Sequence, residues 1–489
     1  MSRRHVVVIG AGPAGLSAAH ELVRAGHRVT VLERDPEYVG GIARTVRYKQ
    51  WRFDLGGHRF FSKNPAIVAW WRERLGAEFI AVRRMSRILY RGRFFDYPLR
   101  AGNALRGLGL LESAGCVASY LWAKLTPVRP ERSFADWVRN RFGARLYRIF
   151  FKSYTEKVWG IPCEKISADW AAQRIKNLSL VVAVLSAFGW KRGGEVKTLI
   201  DTFEYPRLGP GMMWERVRDE VVAGGGEVRL GAEVETLAVS DGRVRAVTFR
   251  TADGGVHEIA CDEVIASSPL SDTVRALGDA MPESARRAAE RLHYRDFALV
   301  ALVVRGERLF ADNWLYVHDP NVRVGRIQNF NNWSAALNEA PGTTCLGFEY
   351  FCAKGDALWS MDDDALIRLA ATEMERLGLA QTDSLIDGAV VRVEKTYPVY
   401  DEHYRTAVDE IRSALVRIPN LQPVGRNGMH KYNNQDHSML TGMMAARRLD
   451  GGRHDPWRVN SDAEYLEEAV AESAEEARVR SRTERAESL

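Results

Sequence analysis

The chain has 489 residues, of which 46% are hydrophobic and 27% are charged, a composition typical of a globular protein of two or three domains. Its 69 basic and 63 acidic residues give a net charge of +6, which suits a small anionic ligand. The basic residues are scattered, so nucleic-acid binding is not expected. The five cysteines show no CxxC pair and no metal-ligand spacing, so we expect buried thiols and no metal site.

Two apolar segments raise the question of a membrane span. Residues 178–190 are too few to cross a bilayer, and residues 108–125 include Glu112 and Lys124, so no span is expected. The apolar run near the N-terminus is interrupted at Gly10, which argues against a signal peptide. We therefore predict a cytoplasmic protein.

Residues 5–34 predict the first structural unit. A short apolar run is followed by the turn GAGPAG, an amphipathic stretch and a second apolar run that ends at Glu33. This is the order of strand, phosphate-binding turn, helix, strand and acidic residue in a Rossmann-like dinucleotide site. A carboxylate at the end of the second strand accepts hydrogen bonds from an adenosine ribose and repels a 2′-phosphate, which disfavours NADP as the tightly bound ligand.

The small residues of the turn have distinct physical roles. Gly10 permits the tight turn, Gly12 lets the backbone approach a pyrophosphate, and Gly15 lets the helix pack closely on the sheet. Ala14 belongs to the same turn, where the helix N-terminus offers N–H groups and a positive dipole end to phosphates. We therefore predict that these residues bind a dinucleotide.

Helical patterns dominate residues 65–76 and 101–187. The second range includes FFKSYTEKVWG at 150–160, in which aromatic residues recur at helical spacing. Such spacing is also usual in a protein core, whereas a nucleotide base needs flat stacking surfaces with a polar rim. Further along, Arg174 is either a surface charge or a bidentate ligand for a diphosphate.

The character of the sequence changes at 227–267. Alternating apolar and polar residues around glycine-containing turns predict antiparallel hairpins that return to a buried strand at 263–267. Residues 294–304 and 343–351 predict further strands of a substrate-side sheet. Residues 364–378 predict an amphipathic helix.

The order of these elements resembles the glutathione-reductase-like flavoproteins, a superfamily that includes amine oxidases, protoporphyrinogen oxidases and UDP-galactopyranose mutases. The resemblance implies FAD as the cofactor. It also implies an α/β fold, in which a Rossmann-like FAD-binding domain accompanies discontinuous helical and mixed or antiparallel-sheet substrate domains. Val234, in GAEVETL, would lie beside the adenine through its backbone. A fold of this kind leaves the reaction open.

We predict a discontinuous domain organisation, because strand-like and helix-like segments interleave more than one Rossmann unit allows. The highly charged C-terminal segment predicts a surface helix that frays into a disordered tail. The predicted units are an FAD-binding domain (1–62, 208–285 and 420–450), a mainly helical substrate or nucleotide domain (63–207), a mixed-sheet substrate domain (286–419) and the charged tail (451–489).

Four narrower motifs resemble those of the UDP-galactopyranose mutases, and they occur in the same order. The family has an aromatic residue where this chain has Gly325, just before Arg326. Tyr432 also lies closer to the NQDHS run than in eukaryotic-type mutases. The four motifs are GGHRFFS at 56–62, FFKSYTEKVWG at 150–160, WLY and VGRI with NWS at 314–334, and YP with GRNG and YNNQDHS at 397–438.

This resemblance implies roles for individual residues. His58 would lie against the flavin, although Gly-Gly-His is by itself also typical of an exposed turn. Arg174 and Arg326 would hold a diphosphate, and in the family the second arginine lies on a mobile loop. The final motif would lie along the flavin, with a helix beginning after NQDHS; Asp436 and Ser438 also suit a helix N-terminus. The implied catalytic residues are His58, Arg174 and Arg326. The implied cofactor residues are Gly10, Gly12, Ala14, Gly15, Glu33, Gly41, Gly57, His58, Val234, Gly425, Arg426, Asn434, Asp436 and Ser438. The implied substrate residues are Phe150, Phe151, Tyr154, Trp159, Arg174, Trp314, Tyr316, Arg326, Tyr397 and Tyr432.

The implied reaction is the interconversion of pyranose and furanose forms of a nucleotide-diphosphate hexose without net redox. In the family, N5 of reduced FAD attacks the anomeric carbon, the diphosphate leaves, and the adduct opens and recloses. NAD(P)H or another reductant would reduce the flavin, and stacking alone does not distinguish UDP, GDP and dTDP. The alternative is an oxidase of the amine-oxidase type, which has no need of two diphosphate arginines. A flavin-bearing scaffold without turnover is a third hypothesis.

Overall fold

The computed structural model describes residues 3–97, 99, 101–168 and 201–460, and the architecture below is that of these residues. The strands, numbered β1 to β19 in chain order, are His5–Ile9, Arg28–Leu32, Thr45–Tyr48, Trp51–Asp54, Phe79–Arg83, Ser86–Tyr90, Arg93–Asp96, Thr202–Pro206, Glu227–Arg229, Ala232–Ser240, Arg243–Thr251, Val256–Ala260, Glu263–Ala266, Tyr294–Arg305, Trp314–Val317, Arg326–Asn329, Thr343–Cys352, Leu385–Pro398 and Leu421–Pro423. The α-helices, numbered α1 to α13, are Pro13–Arg24, Pro65–Leu75, Ala101–Leu108, Leu110–Leu125, Phe134–Leu146, Ser153–Trp159, Gly211–Ala223, Leu270–Leu277, Glu283–Glu290, Asp363–Arg376, Tyr404–Leu415, Gly425–Gly428 and Gln435–Leu449.

Five parallel strands position the dinucleotide turn, in the order β19, β13, β1, β2 and β9. Val7 and Val8 of the central strand point to opposite faces and are both fully buried, as expected for a parallel sheet that is covered on both faces. Helix α1 follows β1 and begins with Pro13, at a position where the missing N–H of proline is not needed. Helix α13 packs closely on α1, since a Cβ on Gly442 would lie 2.0 Å from the carbonyl oxygen of Ala14. The predicted α/β fold with a Rossmann-like unit is therefore confirmed.

One strand of this sheet differs from the prediction. Residues 227–267 predict antiparallel hairpins, but β9 pairs in parallel with β2 and places Glu227 opposite Thr30. Strands β10 to β12 do form an antiparallel three-stranded sheet, and β13 returns beside β1 as predicted. With three residues, β9 is too short for its alternation to reveal the direction of its partner.

A seven-stranded sheet forms the second layer, in the order β18, β14, β17, β16, β15, β6 and β7. Strand β15 pairs in parallel with β6, and the other pairs are antiparallel. The predicted strands at 294–304 and 343–351 are confirmed as β14 and β17, and the predicted helix at 364–378 is confirmed as α10. Strands β6 and β7 come from the segment 63–207, so this segment also contributes strands to the sheet.

The helical part of that segment lies beside the sheet. Helix α5 begins at a capping box, in which the side chains of Ser133 and Asp136 each accept a hydrogen bond from the other's backbone N–H. A π-helical segment, Tyr147–Lys152, joins α5 to α6. Arg174 lies outside the described residues, as does most of the charged tail at 451–489.

The thiols are buried as the composition predicts. All five cysteines are free and buried. Among the described residues, no group of histidine, cysteine, aspartate and glutamate side chains is arranged to hold a metal ion. No helix in this part of the chain combines the length and the apolar character needed to cross a membrane.

Candidate active site

The dinucleotide turn lies at the carboxyl end of β1. Gly10 has a φ of +92°, which favours glycine, and donates its N–H to the carbonyl of Leu32 at 2.8 Å. A Cβ on Gly15 would lie 1.9 Å from the carbonyl oxygen of Gly10. Because no larger residue fits there, Gly15 sets the distance between helix α1 and the turn.

An open groove in front of α1 fits the pyrophosphate of a dinucleotide. The nearest atom to a Cβ built on Gly12 would be the Cα of Gly41, at 3.9 Å, so a ligand can approach the backbone on this side. Gly12 is the residue that precedes α1, and it has no side chain to cap the first N–H groups of the helix. These groups therefore face the groove with the positive end of the helix dipole.

The C-terminal part of the chain borders the same groove. A Cβ on Gly425 would lie 2.8 Å from the Cβ of Ala14. The Nε of the next residue, Arg426, donates to the carbonyl of Asn433 at 2.9 Å, while its Nη1 is buried without a hydrogen-bond partner within the described part of the chain. A buried donor without an acceptor is unfavourable, and bound FAD carries several acceptors. This orphaned nitrogen and the glycine-lined groove both fit FAD.

Helix α13 begins inside the NQDHS run, whereas the family resemblance predicts that it begins after it. Its first residue is Gln435, and Asn434 is the N-cap of a capping box that includes His437. Asn434 donates its backbone N–H to Nδ1 of His437 at 3.3 Å. Asp436 and Ser438 consequently lie in the first turn of the helix, where both are buried.

Glu33 connects the turn to the end of β2. Its Oε2 accepts a hydrogen bond from the N–H of Ala11 at 2.6 Å, and its Oε1 accepts one from the N–H of Asp35 at 3.0 Å. Burial raises the pKa of Glu33. The backbone of Glu33 also accepts a hydrogen bond from the N–H of Ala232 at 2.8 Å. Strand β10, which includes Val234, therefore starts beside this carboxylate, where the prediction places the adenosine.

His58 lies in the loop that follows β4. Its Nε2 is 2.9 Å from the carbonyl oxygen of Leu55. Burial, together with the nearby charges of Arg426 and Arg326, lowers the pKa of His58 to about 4. The imidazole is therefore neutral at neutral pH. A Cβ on Gly57 would lie 3.2 Å from Nε2 of Gln328 on β16, so the loop sits directly against the seven-stranded sheet.

Arg326 is the centre of a buried polar cluster. Its Nε and Nη2 both donate to Oε2 of Glu349 at 2.6 Å, and its Nη2 also donates to Oη of Tyr397 at 3.1 Å. Glu349 is fully buried, and its Oε1 accepts a hydrogen bond from Nε2 of Gln328 at 2.6 Å. An arginine and a glutamine thus hold one carboxylate in fixed orientation.

The position of Arg326 on a mobile loop, which the family resemblance implies, is wrong. Arg326 is the first residue of β16, which lies between β15 and β17 inside the sheet. It stands opposite Tyr316 on one side and Glu349 on the other. Pairing on both edges and the ion pair with Glu349 fix this arginine in the sheet.

Tyrosines surround the arginine cluster. Tyr397 and Tyr432 stack with 5.8 Å between their ring centroids, and the guanidinium carbon of Arg426 lies 4.9 Å from the Tyr432 centroid. Trp159 lies 6.2 Å from the same ring. Burial raises the pKa of Tyr154 well above its ordinary value, and the charge of Arg326 opposes this shift. These residues form an aromatic wall beside the two arginines.

Tyr154 also connects the cluster to a second group of rings. It stacks on His318 with 4.8 Å between centroids and meets Tyr316 edge-on at 5.7 Å. Phe150 belongs to the core, where it packs against Phe95 at 5.2 Å. Phe151 stacks on Phe142 of helix α5 at 5.2 Å. Among the described contacts, these two phenylalanines do not meet the arginine cluster.

Several residues of the site received no predicted role, although Arg59 belongs to the GGHRFFS motif. The guanidinium carbons of Arg59 and Arg84 lie 5.6 Å and 5.4 Å from the ring centroid of Trp314, within the distance of a cation–π interaction. The Nε of Arg84 is buried without a hydrogen-bond partner among the described residues. In the sequence, Glu349 is recognisable only as an acidic residue within the apolar run TTCLGFEYFC. A charge in such a run indicates a buried group that requires a partner.

Lys157 and Glu373 hold the connection between β15 and β16 from two sides. The Nζ of Lys157 donates to the carbonyls of Val317, Asp319 and Val324 at 3.3, 2.6 and 3.2 Å, and burial lowers its pKa to about 8. Glu373, from helix α10, accepts a hydrogen bond from the N–H of Val324 at 3.0 Å. The two side chains thereby fix the backbone that leads into β16.

Replacement of Lys157 by methionine is expected to lower the free energy of unfolding by about 2–4 kcal/mol, because three carbonyl groups lose their donor. Urea unfolding of the two proteins measures this difference. Lys165→Met is the matched control, since Lys165 is exposed, and its effect is expected to stay within about 0.5 kcal/mol. Equal effects of the two substitutions would show that Lys157 does not support the connection.

Asp54, at the end of β4, is a buried acid next to the His58 loop. Its Oδ2 accepts a hydrogen bond from the hydroxyl of Tyr205 at 2.5 Å, and its Oδ1 accepts one from the hydroxyl of Thr45 at 2.7 Å. Burial raises the pKa of Asp54 to about 7, against the opposing effect of these hydrogen bonds. The folded protein therefore binds a proton here that the unfolded chain releases above its ordinary pKa of 3.8.

The higher pKa of Asp54 in the folded protein predicts that the free energy of unfolding falls as the pH rises. Between about pH 4 and about pH 7, the contribution of Asp54 to the free energy of unfolding should fall by about 1.4 kcal/mol per pH unit, and it should be lost above pH 7. Asp54→Asn, which carries no titrating proton, should remove this slope. Urea unfolding of both proteins at several pH values tests it, and parallel profiles would contradict the prediction.

The fold and the groove together define a class, the FAD-binding flavoproteins. Residues 13–449 match the family described as flavin containing amine oxidoreductases. The chain belongs to this family, and FAD is its cofactor.

The proteins that resemble this chain bear the names of different activities. The chain is 53% identical over 64 residues, 13% of either chain, to L-amino acid oxidase Cdc18 of Crotalus durissus cumanensis. It is 26% identical over 319 residues to an L-amino-acid oxidase of Crotalus adamanteus, across 60% of this chain and 56% of the relative. The matched part of the chain therefore spans 13% of the first relative and 56% of the second, which is little more than half of the relative's length in the longer match. A crystal structure of reduced UDP-galactopyranose mutase superposes with a TM-score of 0.81 at 22% identity, covering 94% of this chain and 98% of the other; this likeness shows the fold.

Proposed function

We propose that this flavoprotein interconverts the pyranose and furanose forms of a nucleotide-diphosphate hexose. The observation that carries the proposal is the cluster around Arg326. Arg326 and Arg426 both lower the pKa of His58, so both guanidinium groups lie close to the loop that holds His58. Glu349 forms an ion pair with Arg326, whereas Arg426 has no ion pair among the described residues. The cluster therefore has excess positive charge, which suits the two charges of a diphosphate.

The reaction requires that the bond between the sugar and the diphosphate breaks and forms again. When bound, reduced FAD supplies a nucleophilic nitrogen for this exchange. Arg326 would stabilise the negative charge that develops on the departing diphosphate, because Glu349 fixes its orientation. Arg174 would be the second diphosphate ligand, and it remains a proposal because it lies outside the described residues.

The aromatic wall would keep the activated sugar away from water. Tyr154, Tyr397 and Tyr432 surround the arginine cluster, and Tyr397 has a relative exposure of 8%. A dry site strengthens the interaction between guanidinium and phosphate and prevents hydrolysis of the sugar. His58, neutral at neutral pH, would adjust the flavin environment without adding a charge.

The second candidate function is oxidation of an amino acid, which the long alignment to the Crotalus adamanteus enzyme favours. An amino acid has a single carboxylate, for which one arginine is sufficient. Such a reaction passes a hydride from the substrate to the flavin and needs an acceptor such as O₂. The two candidates therefore differ in whether any net oxidation occurs.

One experiment separates them. The holoprotein, either oxidised or reduced with dithionite, is incubated with UDP-, GDP- and dTDP-hexoses, and chromatography resolves pyranose from furanose products. Furanose formation by the reduced protein alone supports the mutase. The oxidised protein is incubated in parallel with L-amino acids, and hydrogen peroxide is measured. Peroxide formation with bleaching of the flavin, without any furanose product, would refute the mutase and support the oxidase.

A further inference from the structure

Helix α4, Leu110–Leu125, presents its apolar face outward. The relative exposure of Leu110 is 86%, that of Leu111 91%, that of Trp122 68% and that of Leu125 78%. A surface helix of a globular protein normally turns its apolar stripe towards the core. Here the orientation is reversed, so a large apolar surface faces outward.

The opposite side of α4 explains this orientation. Small side chains line the packed side, where a Cβ on Gly115 would lie 2.4 Å from Nη1 of Arg145. The hydroxyl of Ser119 accepts a hydrogen bond from the backbone N–H of Arg145 at 3.1 Å. Glu112 forms a bidentate ion pair with the same guanidinium, at 2.6 and 2.9 Å. The contacts with α5 therefore hold α4 with its apolar side outward.

The exposed residues form one continuous face at helical spacing. At 100° per residue, the exposed positions span less than half of the helix circumference. Ala114 and Ala118 are the small residues within this face, and Lys124 lies at one edge. The large apolar members are Leu110, Leu111, Val117, Leu121, Trp122 and Leu125.

The exposed charged side chains of the segment 101–130, which includes this face, are positive. Between residues 101 and 130 the acidic residue is Glu112, which is paired with Arg145. The cations of the same segment are Arg106, Lys124 and Arg129, and all three are exposed. A two-fold contact between copies would bring these like charges together across the interface. An anionic surface would instead meet them with opposite charge.

We infer that α4 docks this protein onto the surface of an anionic lipid bilayer. Leucines and a tryptophan on one face, with cations beside them, are the features by which an amphipathic helix lies in the interface between headgroups and acyl chains. Each cation near an anionic leaflet adds to the affinity, and salt screens this attraction. The attachment is peripheral and reversible, and it does not depend on the reaction that the flavin site performs.

Co-sedimentation of the full-length holoprotein with lipid vesicles tests this inference. We expect binding to vesicles of equal parts phosphatidylcholine and phosphatidylglycerol, and at least about tenfold weaker binding to phosphatidylcholine alone, since each cation near an anionic surface contributes about fivefold. Raising the salt from about 0.1 M to about 1 M should weaken the binding, because it shortens the Debye length from about 10 Å to about 3 Å.

Two double variants assign the binding to α4. Leu121→Glu with Leu125→Glu should lower vesicle binding at least about tenfold, because the buried apolar groups are lost and like charges are introduced. Val222→Glu with Val416→Glu is the matched control: these side chains are 51% and 76% exposed and lie in other elements, so binding should be unchanged. Flavin absorbance and circular dichroism verify that each variant is folded.

Three results would overturn the inference. They are an absence of wild-type binding to the anionic vesicles, equal binding by the Leu121→Glu, Leu125→Glu variant, and equal loss of binding in both double variants. Light scattering is measured on the same samples. Self-association that this variant abolishes, without any vesicle binding by the wild type, would assign the face to a second copy of the chain.

Discussion

Replacement of Arg326 by methionine is expected to lower kcat/KM for a nucleotide-diphosphate hexose by about 10²–10³-fold, the usual effect of removing one charge-stabilising donor. The same change leaves Glu349 buried without its counter-ion. The free energy of unfolding should therefore fall by about 3–5 kcal/mol. Steady-state kinetics of the reduced enzyme and urea unfolding measure the two effects separately.

The double variant Arg326→Met, Glu349→Gln distinguishes a role in the reaction from a role in the fold. Removing both charges relieves the unpaired carboxylate, and the introduced amide oxygen can still accept the hydrogen bond from Gln328. The free energy of unfolding should then return towards the wild-type value, while kcat/KM stays low. Recovery of turnover in the double variant would show that Arg326 acts only through the stability of the site.

The dinucleotide unit could be predicted from sequence because its determinants are local. The apolar run before Gly10, the glycine spacing and the acidic end of β2 lie within a single stretch, and each has a steric or electrostatic reason. In the structure, a Cβ on Gly15 would lie 1.9 Å from the carbonyl oxygen of Gly10, which explains why this position of the motif requires glycine. Long elements such as β14 and α10 could be predicted for a related reason, since their periodicity extends over many residues.

The register between distant strands could not be predicted in this way. Arg326 meets Glu349 because β16 pairs with β17 in one particular alignment, and a four-residue strand carries too little alternation to fix it. A family pattern suggested a mobile loop at this position. The partners that hold Arg326 in place are the adjacent strand and the buried carboxylate, and no local pattern identifies either as its partner.

Contacts across long sequence separations explain the other omissions. Lys157 was part of a recognised motif, but its carbonyl partners lie at the end of β15 and on the connection that follows it. Strand β6 pairs with β15, which places Ser86 opposite Trp314 and brings the neighbouring Arg84 close to that ring. The outward face of α4 also escaped prediction, because periodicity identifies an apolar stripe without saying which side of it is covered.

Gly12→Val is expected to yield a folded protein that lacks FAD. Gly12 has extended backbone, with φ of −77° and ψ of −178°, which any residue adopts, and the nearest atom to an added Cβ is 3.9 Å away. The valine side chain would therefore fill the groove rather than disturb the fold. FAD affinity should fall by about a hundredfold or more, about 2.8 kcal/mol, because the backbone N–H groups lose contact with the pyrophosphate. Flavin absorbance of the purified protein measures the loss.

Gly15→Ala provides the comparison that makes this result specific. Its added Cβ would collide with the carbonyl of Gly10 at 1.9 Å, so this variant should lose about 1–3 kcal/mol or more of unfolding free energy even without cofactor. The apoprotein of Gly12→Val should instead unfold within about 0.5 kcal/mol of the wild-type apoprotein. Equal destabilisation of the two apoproteins would mean that Gly12 serves packing. Retention of FAD by Gly12→Val would place the pyrophosphate elsewhere.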